Sequence, residues 1–237
     1  MPFYYDSLYI ILVLPAIILS IIASARVKST FNKYSRSRTS TGITGALAAE
    51  RILQANGIHN VRVEEVAGTL SDHFDPKTNV IRLSQSVYGS STTAAVGVAA
   101  HEVGHALQYA KGYAPIKLRA AVIPITQLGS KLAIPLVIVG LLLASVGSVF
   151  INIAYAGIIC FCACVVFQLL TLPVEFNASH RAMNSIEQYG LLNQTEQKEA
   201  KKVLNAAAMT YVAALAVSLT QLLRLLAIVA GGKNRRR

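Results

Sequence analysis

The feature that most constrains this fold is an internal segment, residues 132–174, that contains no aspartate, glutamate, lysine or arginine. A single membrane-spanning helix needs roughly 20 apolar residues, and this segment is about twice that length. It therefore predicts a transmembrane hairpin over residues 131–174, in which a tight turn near residues 147–152 joins two helices. Because a hairpin leaves and re-enters the same side, Lys131 and Glu175 are expected on one face of the membrane.

The N-terminal segment predicts another membrane helix. Residues 8–25 are uncharged and strongly apolar, and a group of basic residues follows them, namely Arg26, Lys28, Lys33, Arg36 and Arg38. A signal peptide carries its basic residues before the apolar core, so the reversed order indicates an uncleaved anchor over residues 1–25. The positive-inside rule then places the end of the anchor in the cytoplasm and Met1 outside.

The C-terminal segment, residues 203–237, is less uniform. It is apolar to about residue 230, but it contains Tyr211, Gln221 and Arg224 and ends in a basic tail. Ionisable groups at bilayer depth are costly, and a crossing would place the tail outside, against the charge bias. The hydropathy favours a fourth span. The alternative is a long helix that packs on the soluble part or lies in the membrane interface.

The composition agrees with an integral membrane protein. Hydrophobic residues make up 54% of the chain and charged residues 14%, a more apolar balance than soluble domains usually have. The formal charge of +11 is concentrated beside the apolar segments, as expected for the basic flanks of membrane spans, which argues against nucleic-acid binding. Cys160, Cys162 and Cys164 lie within the uncharged segment, where cysteine acts as a small hydrophobic residue, and no disulfide is expected.

The remaining segments predict a small water-exposed α+β unit. The stretch "TSTGITGALAAERILQANGI" has the apolar spacing of a helix, and "VRVEEV" alternates as a strand does. A second strand is expected at residues 80–83, after a turn at residues 75–76, and a helix over residues 94–110. We assign residues 26–130 to a cytoplasmic part and residues 175–202 to a polar helical segment that returns to it.

The stretch "GVAAHEVGHALQ" contains the pattern H-E-x-x-H. On a helix, His101 and His105 project from one face, so both imidazoles can bind one zinc ion. Glu102 lies beside the first histidine and can remove a proton from a zinc-bound water molecule. The pattern predicts a catalytic zinc site with Glu102 as the general base.

A catalytic zinc ion usually takes three protein ligands, and the third must come from another part of the chain. Glu175 is the first charged residue after the uncharged segment. The predicted hairpin returns it to the side on which His101 and His105 lie. We therefore expect Glu175 to be the third zinc ligand.

Together, "HEVGHALQ" and "PVEFNASHRA" resemble the neutral zinc metallopeptidases of the YugP type, a family of bacterial membrane proteins. They are more distantly similar to the HtpX and CAAX-prenyl membrane proteases. In that wider group a helix glutamate in an E-x-x-A-D pattern is the third zinc ligand. Glu175 and Ala178 match this pattern, but Ser179 stands where the aspartate would be. Serine forms only neutral hydrogen bonds, so the departure bears on how the ligands are oriented.

The resemblance implies a mostly α membrane protein with an N-terminal anchor, a small α+β gluzincin-like zinc peptidase unit, a transmembrane hairpin and a C-terminal helical region. It also suggests that the strand at residues 80–83 holds an extended peptide by strand addition. The weaker site candidates are His73, His180, Arg181 and Tyr211, for which turn, surface or packing roles are expected.

The predicted function is that of a multi-pass zinc endopeptidase in the cell membrane, with its active site facing the cytoplasm. Its partners would be the lipid bilayer and polypeptide substrates such as membrane-associated or misfolded proteins, which suggests a role in membrane protein quality control. One alternative is a catalytically silent scaffold that keeps zinc for structure, although such a site needs no base at Glu102. A metal transporter is disfavoured because the histidines lie outside the uncharged segment.

Overall fold

The computed structural model describes residues 7–234, with side chains described up to residue 231. The expected placement of Met1 and that of the basic tail at residues 235–237 lie outside the described residues. The elements follow in the order α1 (Leu14–Tyr34, preceded by a π-helical turn at Tyr9–Val13), α2 (Gly45–Ala55), β1 (Arg62–Val66), β2 (His73–Asp75), β3 (Val80–Ser84), α3 (Gln85–Tyr88), α4 (Thr93–Ala110), α5 (Ala114–Leu143), α6 (Ile151–Gln188) and α7 (Gln194–Asn234).

Long apolar helices dominate the chain. Among the described residues, four helical segments are long and apolar enough to cross a membrane: Tyr9–Tyr34, Ala114–Leu143, Ser148–Gln188 and Gln194–Gly231. The expected fold class, a mostly helical membrane protein with a small sheet, is confirmed. The helices α5 and α6 extend well beyond the uncharged segment that predicted them. Proline lies inside both helices, at positions 124 and 135 of α5 and at 173 of α6.

The chain divides into two compact units. The first comprises the described residues up to Ile22, the segment Leu118–Leu172 and the described residues from Tyr211 onward. In this first unit, α5 and α6 lie so close together that only glycine fits at positions 140 and 157. A Cβ at Gly140 would collide with the Ala154 nitrogen, and one at Gly157 would lie 2.6 Å from the Ala133 carbonyl oxygen. Small residues that allow such backbone contact are typical of helix pairs in membranes.

The second unit comprises Ala23–Lys117 and Pro173–Thr210. Its core is formed by apolar side chains of α2, β3, α4 and α6, among which Ile52, Ile81, Leu83, Val103 and Ile186 are completely buried. Burial of this kind supplies roughly 1.5–3 kcal/mol for each large side chain. The unit therefore has a hydrophobic core of its own beside α4, the helix with the H-E-x-x-H pattern.

The sheet of the second unit has the order β1-β3-β2. The strand β1 pairs with β3 in parallel, and β2 pairs with β3 antiparallel through Asp75↔Val80, Phe74↔Ile81 and His73↔Arg82. The expected strand at residues 80–83 is present as β3, but it is the middle strand. The expectation that it holds a peptide by strand addition was wrong, because both of its hydrogen-bonding edges are already paired.

The start of α4 is fixed by hydroxyl side chains. The Thr92 hydroxyl accepts a hydrogen bond from the Ala95 amide nitrogen at 3.4 Å, which caps the first turn. Thr93 is completely buried, and its hydroxyl hydrogen lies between two acceptors, the Glu199 carboxylate at 3.0 Å and the Tyr34 carbonyl oxygen at 3.3 Å. These contacts tie the helix that carries His101 and His105 to α1 and α7.

Candidate metal centre

The centre forms where α4 and α6 pack with their backbones nearly in contact. A Cβ at Gly104 would lie 2.5 Å from the Ala178 carbonyl oxygen, so any larger residue would push the helices apart. Gly104 stands between the two histidines in the sequence, and Ala178 lies one turn after Glu175. The two small residues, Gly104 and Ala178, therefore allow the polar faces of α4 and α6 to come together.

Three side chains converge at this contact. Nε2 of His101 lies 3.3 Å from Oε2 of Glu175, and Nε2 of His105 lies 3.5 Å from the same oxygen. The candidate ligand atoms of the three residues all lie within 4.8 Å of one another. Glu175 is buried, whereas the two histidines are half-buried. The side chains of His101 and His105 keep 15% and 13% of their surface exposed to solvent, against 3% for Glu175.

The His105 ring is oriented by Gln108, one turn along α4. Nδ1 of His105 lies 3.0 Å from Oε1 of Gln108. The amide nitrogen of Gln108 donates to the Val174 carbonyl oxygen at 2.7 Å and to Oδ1 of Asn177 at 3.1 Å. Because that nitrogen is engaged, Oε1 must face the histidine and accept from Nδ1–H. This arrangement directs Nε2 of His105 toward Glu175.

The His101 ring is oriented by Ser179. Its Nδ1 lies 3.1 Å from the Ser179 hydroxyl, which leaves Nε2 to face Glu175. Position 179 is where the resemblance leads one to expect an aspartate. The serine makes the orienting contact in this chain, although without the negative charge that a carboxylate would bring.

Glu102 lies next to His101 on α4 and is buried, with 8% of its surface exposed. Among the described residues, its carboxylate has no hydrogen-bond partner. Its negative charge nevertheless acts on His105, since it is one cause of that residue's raised pKa. A carboxylate without a hydrogen-bond partner in the protein is suited to accept a proton from a molecule in the site.

The electrostatics of the centre favour positive charge. Burial lowers the pKa of the His105 imidazole, but the hydrogen bond that the imidazole donates to the Glu175 carboxylate and the negative charges of Glu102 and Glu175 outweigh burial and raise it. A bound cation would replace the protons that hold the histidines to the carboxylate. Two imidazole nitrogens and one carboxylate oxygen are the donor set of many catalytic zinc sites, which keep a fourth position open. The residues present therefore fit zinc.

The weaker site candidates His180, His73 and Arg181 contact other residues than the three candidate ligands. His180 is exposed and pairs with Asn184, and His73 is exposed in β2 with Nδ1 2.8 Å from the Ser71 carbonyl oxygen. Arg181 donates to Oδ1 of Asn177 at 2.7 Å rather than to a carboxylate, and its guanidinium lies 5.8 Å from the ring centre of Tyr113. These residues do not belong to the His101–His105–Glu175 group.

The sequence reasoning missed Gln108 and Asn177. The signal for Gln108 was its position three residues after His105, on the same helix face. Asn177 gave no such signal, since its role depends on the packing of α6 against α4. It accepts hydrogen bonds from both Gln108 and Arg181 and so connects the centre to the rest of α6.

Comparisons with known proteins identify the family to which the chain belongs. A family model described as "Putative neutral zinc metallopeptidase" matches residues 9–230. The chain is 47% identical over 227 residues to a Bacillus subtilis (strain 168) protein named "Putative membrane protease YugP", and the match covers 96% of this chain and 99% of that protein. No solved structure matches the chain. The chain is a membrane protein, and it belongs to the neutral zinc metallopeptidase family that this model describes.

Proposed function

We propose that the protein is a zinc-dependent endopeptidase of the cell membrane. In this proposal His101, His105 and Glu175 hold the zinc ion and Glu102 is the catalytic acid–base. The observation that carries it is the convergence of both histidine Nε2 atoms on one buried carboxylate oxygen, with Glu102 on the same helix. A structural zinc site usually has four protein ligands and does not need an adjacent unpaired carboxylate.

When bound, zinc supplies Lewis acidity, which makes a water molecule a better nucleophile and polarises the carbonyl of the scissile peptide bond. Gln108 and Ser179 keep the two imidazole rings in the orientation that binds it. Glu102 accepts a proton from the attacking water molecule and then donates it to the leaving amine nitrogen.

We further propose that the active site faces the cytoplasm and that the chain crosses the membrane several times. The basic residues that follow the first apolar segment support this orientation. The substrates would be membrane-associated or misfolded polypeptides, because the catalytic residues are carried by a membrane protein. Support for proteolysis itself comes from the family description and from the name of the Bacillus relative.

The test compares Glu102→Gln with wild type, as purified full-length proteins in detergent. Both should bind about one zinc ion, and only wild type should cleave casein. Glu50→Gln is the matched control, because it removes the same charge from an exposed position of α2. It should cleave casein as wild type does.

Equal cleavage by Glu102→Gln and wild type would remove Glu102 from the mechanism. A wild-type protein that binds zinc and cleaves nothing in a panel of unfolded and membrane substrates would favour the silent scaffold. Zinc content after Glu175→Gln tests the third ligand, and an unchanged affinity would reject it.

A further inference from the structure

We propose that the second unit carries a binding site for the headgroup of an anionic phospholipid, at the junction of α1 and α7. The site is a cavity of about 360 Å³ whose lining includes the cationic residues Arg26, Lys33 and Lys202. Acidic residues do not contribute to this lining. This inference concerns lipid binding and does not rest on the proposed peptidase activity.

The position of the cavity along the two helices is that of a membrane interface. Arg26 is the first charged residue after the uncharged segment of α1, and Lys202 is the last charged residue before the uncharged residues 203–223 of α7. Both helices are among the candidate membrane spans. Two independent ends of apolar segments therefore meet at one cavity, where lipid headgroups would lie.

The cations converge without being neutralised by the protein. The ammonium groups of Lys33 and Lys202 lie 5.4 and 5.9 Å from the ring centre of Tyr34, so both are drawn to one aromatic ring. Among the described residues, neither lysine nor Arg26 forms an ion pair. Bringing like charges together costs free energy that an anion between them would recover.

The rest of the lining matches the two parts of a phospholipid. Ser29, Thr30 and Asn205 supply hydrogen-bond donors for phosphate oxygens. Ala206 and Met209 lie one and two turns beyond Lys202, toward the apolar end of α7, and supply surface for the start of an acyl chain. Ser29 and Thr30 lie between Arg26 and Lys33 on one helix face, so charged and hydroxyl groups of α1 point into the same space.

A free inorganic anion would use the cationic part of this lining but not the apolar part. Basic pockets between membrane helices are known to bind anionic headgroups. We therefore assign the site to a phospholipid with a phosphodiester headgroup and a net negative charge.

The test uses the full-length protein in nanodiscs of equimolar phosphatidylcholine and phosphatidylglycerol, with retained lipid counted by native mass spectrometry. Wild type should retain phosphatidylglycerol in preference to phosphatidylcholine. The double variant Lys33→Gln/Lys202→Gln should lose that preference by roughly tenfold or more, since each lysine near a membrane surface contributes substantially to the binding of anionic lipid.

The matched control is Lys28→Gln/Lys201→Gln, which removes the same charge from neighbouring exposed positions of the same helices that do not line the cavity. It should retain phosphatidylglycerol as wild type does, and Lys33→Arg/Lys202→Arg should also retain it. Circular dichroism and zinc content report whether each variant is folded.

Equal retention of phosphatidylglycerol by the cavity variant and the control would overturn the proposal, because the cavity lysines would then not bind the lipid. An equal loss of phosphatidylglycerol in both would also overturn it, because general surface charge would then account for the binding. Displacement of the lipid by excess inorganic phosphate would also overturn it, since the site would then be one for a free anion.

Discussion

The orientation of the two imidazole rings depends on two neutral side chains. Gln108 is completely buried and fixes which nitrogen of His105 carries hydrogen, because its own amide nitrogen is held by the Val174 carbonyl oxygen and Asn177. Ser179 orients the His101 ring through a single contact to Nδ1, but its hydroxyl can donate or accept and so does not fix which nitrogen carries hydrogen. Each of the two histidines is therefore oriented by a hydrogen bond to an uncharged side chain.

Replacing Gln108 by methionine should weaken zinc binding by roughly 10- to 100-fold, the usual effect of removing a group that orients a metal ligand. The volume is conserved, but Nδ1 of His105 and the Val174 carbonyl oxygen lose their partner, which costs about 1–3 kcal/mol of folding stability. Competition with a chromogenic zinc chelator measures the affinity. Gln54→Met, at an exposed position of α2, should leave it unchanged; a similar loss in both variants would contradict the assigned role.

At Ser179 two substitutions should act in opposite directions. Ser179→Ala removes the contact to His101 and should lower zinc affinity by about tenfold. Ser179→Asp restores the carboxylate of the wider family pattern and should keep or raise the affinity, since a carboxylate makes the imidazole a more basic ligand. Isothermal titration of the metal-free proteins with zinc measures both. Unchanged affinity in Ser179→Ala would show that the serine does not orient His101.

The parts of the centre that the sequence predicts are those set by local spacing. His101, Glu102 and His105 follow from helix periodicity, and Glu175 followed from its place after the uncharged segment and from the family pattern. Gln108 and Asn177 could not be inferred with the same certainty, because their roles depend on which carbonyl and amide groups α6 presents to α4. Their assignment required the packed structure.

At the scale of secondary structure elements, the centre depends on how closely α4 and α6 approach. Gly104 and Ala178 set that distance, and His101, His105 and Glu175 lie on either side of the contact. A larger side chain at position 104 would push α4 and α6 apart and move the histidines away from Glu175. The glycine inside the H-E-x-x-H pattern is therefore a packing residue as well as a spacer.

Replacing Gly104 by alanine should destabilise the protein by about 1–3 kcal/mol, the usual cost of overpacking, and should weaken zinc binding as well. Gly89→Ala is the control, since a Cβ at Gly89 would meet nothing within 4 Å. Chemical denaturation followed by circular dichroism gives the stability and zinc titration the affinity. Wild-type zinc affinity in Gly104→Ala would show that the helix contact does not set the site.

The sheet shows where prediction of elements from the sequence failed. β2 has only three residues, His73–Asp75, which is too short to show the alternation by which strands are recognised. The sequence therefore predicts only a turn at residues 75–76 before β3. Without β2, β3 is expected to have a free edge for a peptide, which is wrong, although its position in the chain is predicted correctly.

At the scale of the whole molecule, residues far apart in the sequence form one centre. The uncharged segment lies between the histidines of α4 and Glu175 of α6 in the sequence. All three residues nevertheless belong to the second unit. The four apolar helices were predicted from hydropathy and are present. Whether α7 crosses the bilayer and which side the centre faces stay predictions, because the charge pattern of the C-terminal segment points in both directions.

Because zinc would join α4 to α6, its removal should destabilise the molecule. At a free zinc concentration 1,000 times the dissociation constant, binding contributes about 4 kcal/mol to folding. Excess EDTA should therefore lower the unfolding temperature of wild type, measured by circular dichroism in detergent, and have little effect on Glu175→Gln. Equal shifts in both proteins would place the stabilising metal elsewhere.

The most direct test is diffraction from crystals of the full-length protein grown with zinc, with data collected on both sides of the zinc absorption edge. We predict an anomalous peak about 2 Å from Nε2 of His101, from Nε2 of His105 and from a carboxylate oxygen of Glu175. A peak at another site, or a peak at the histidines with Glu175 turned away from it, would contradict the proposed metal centre.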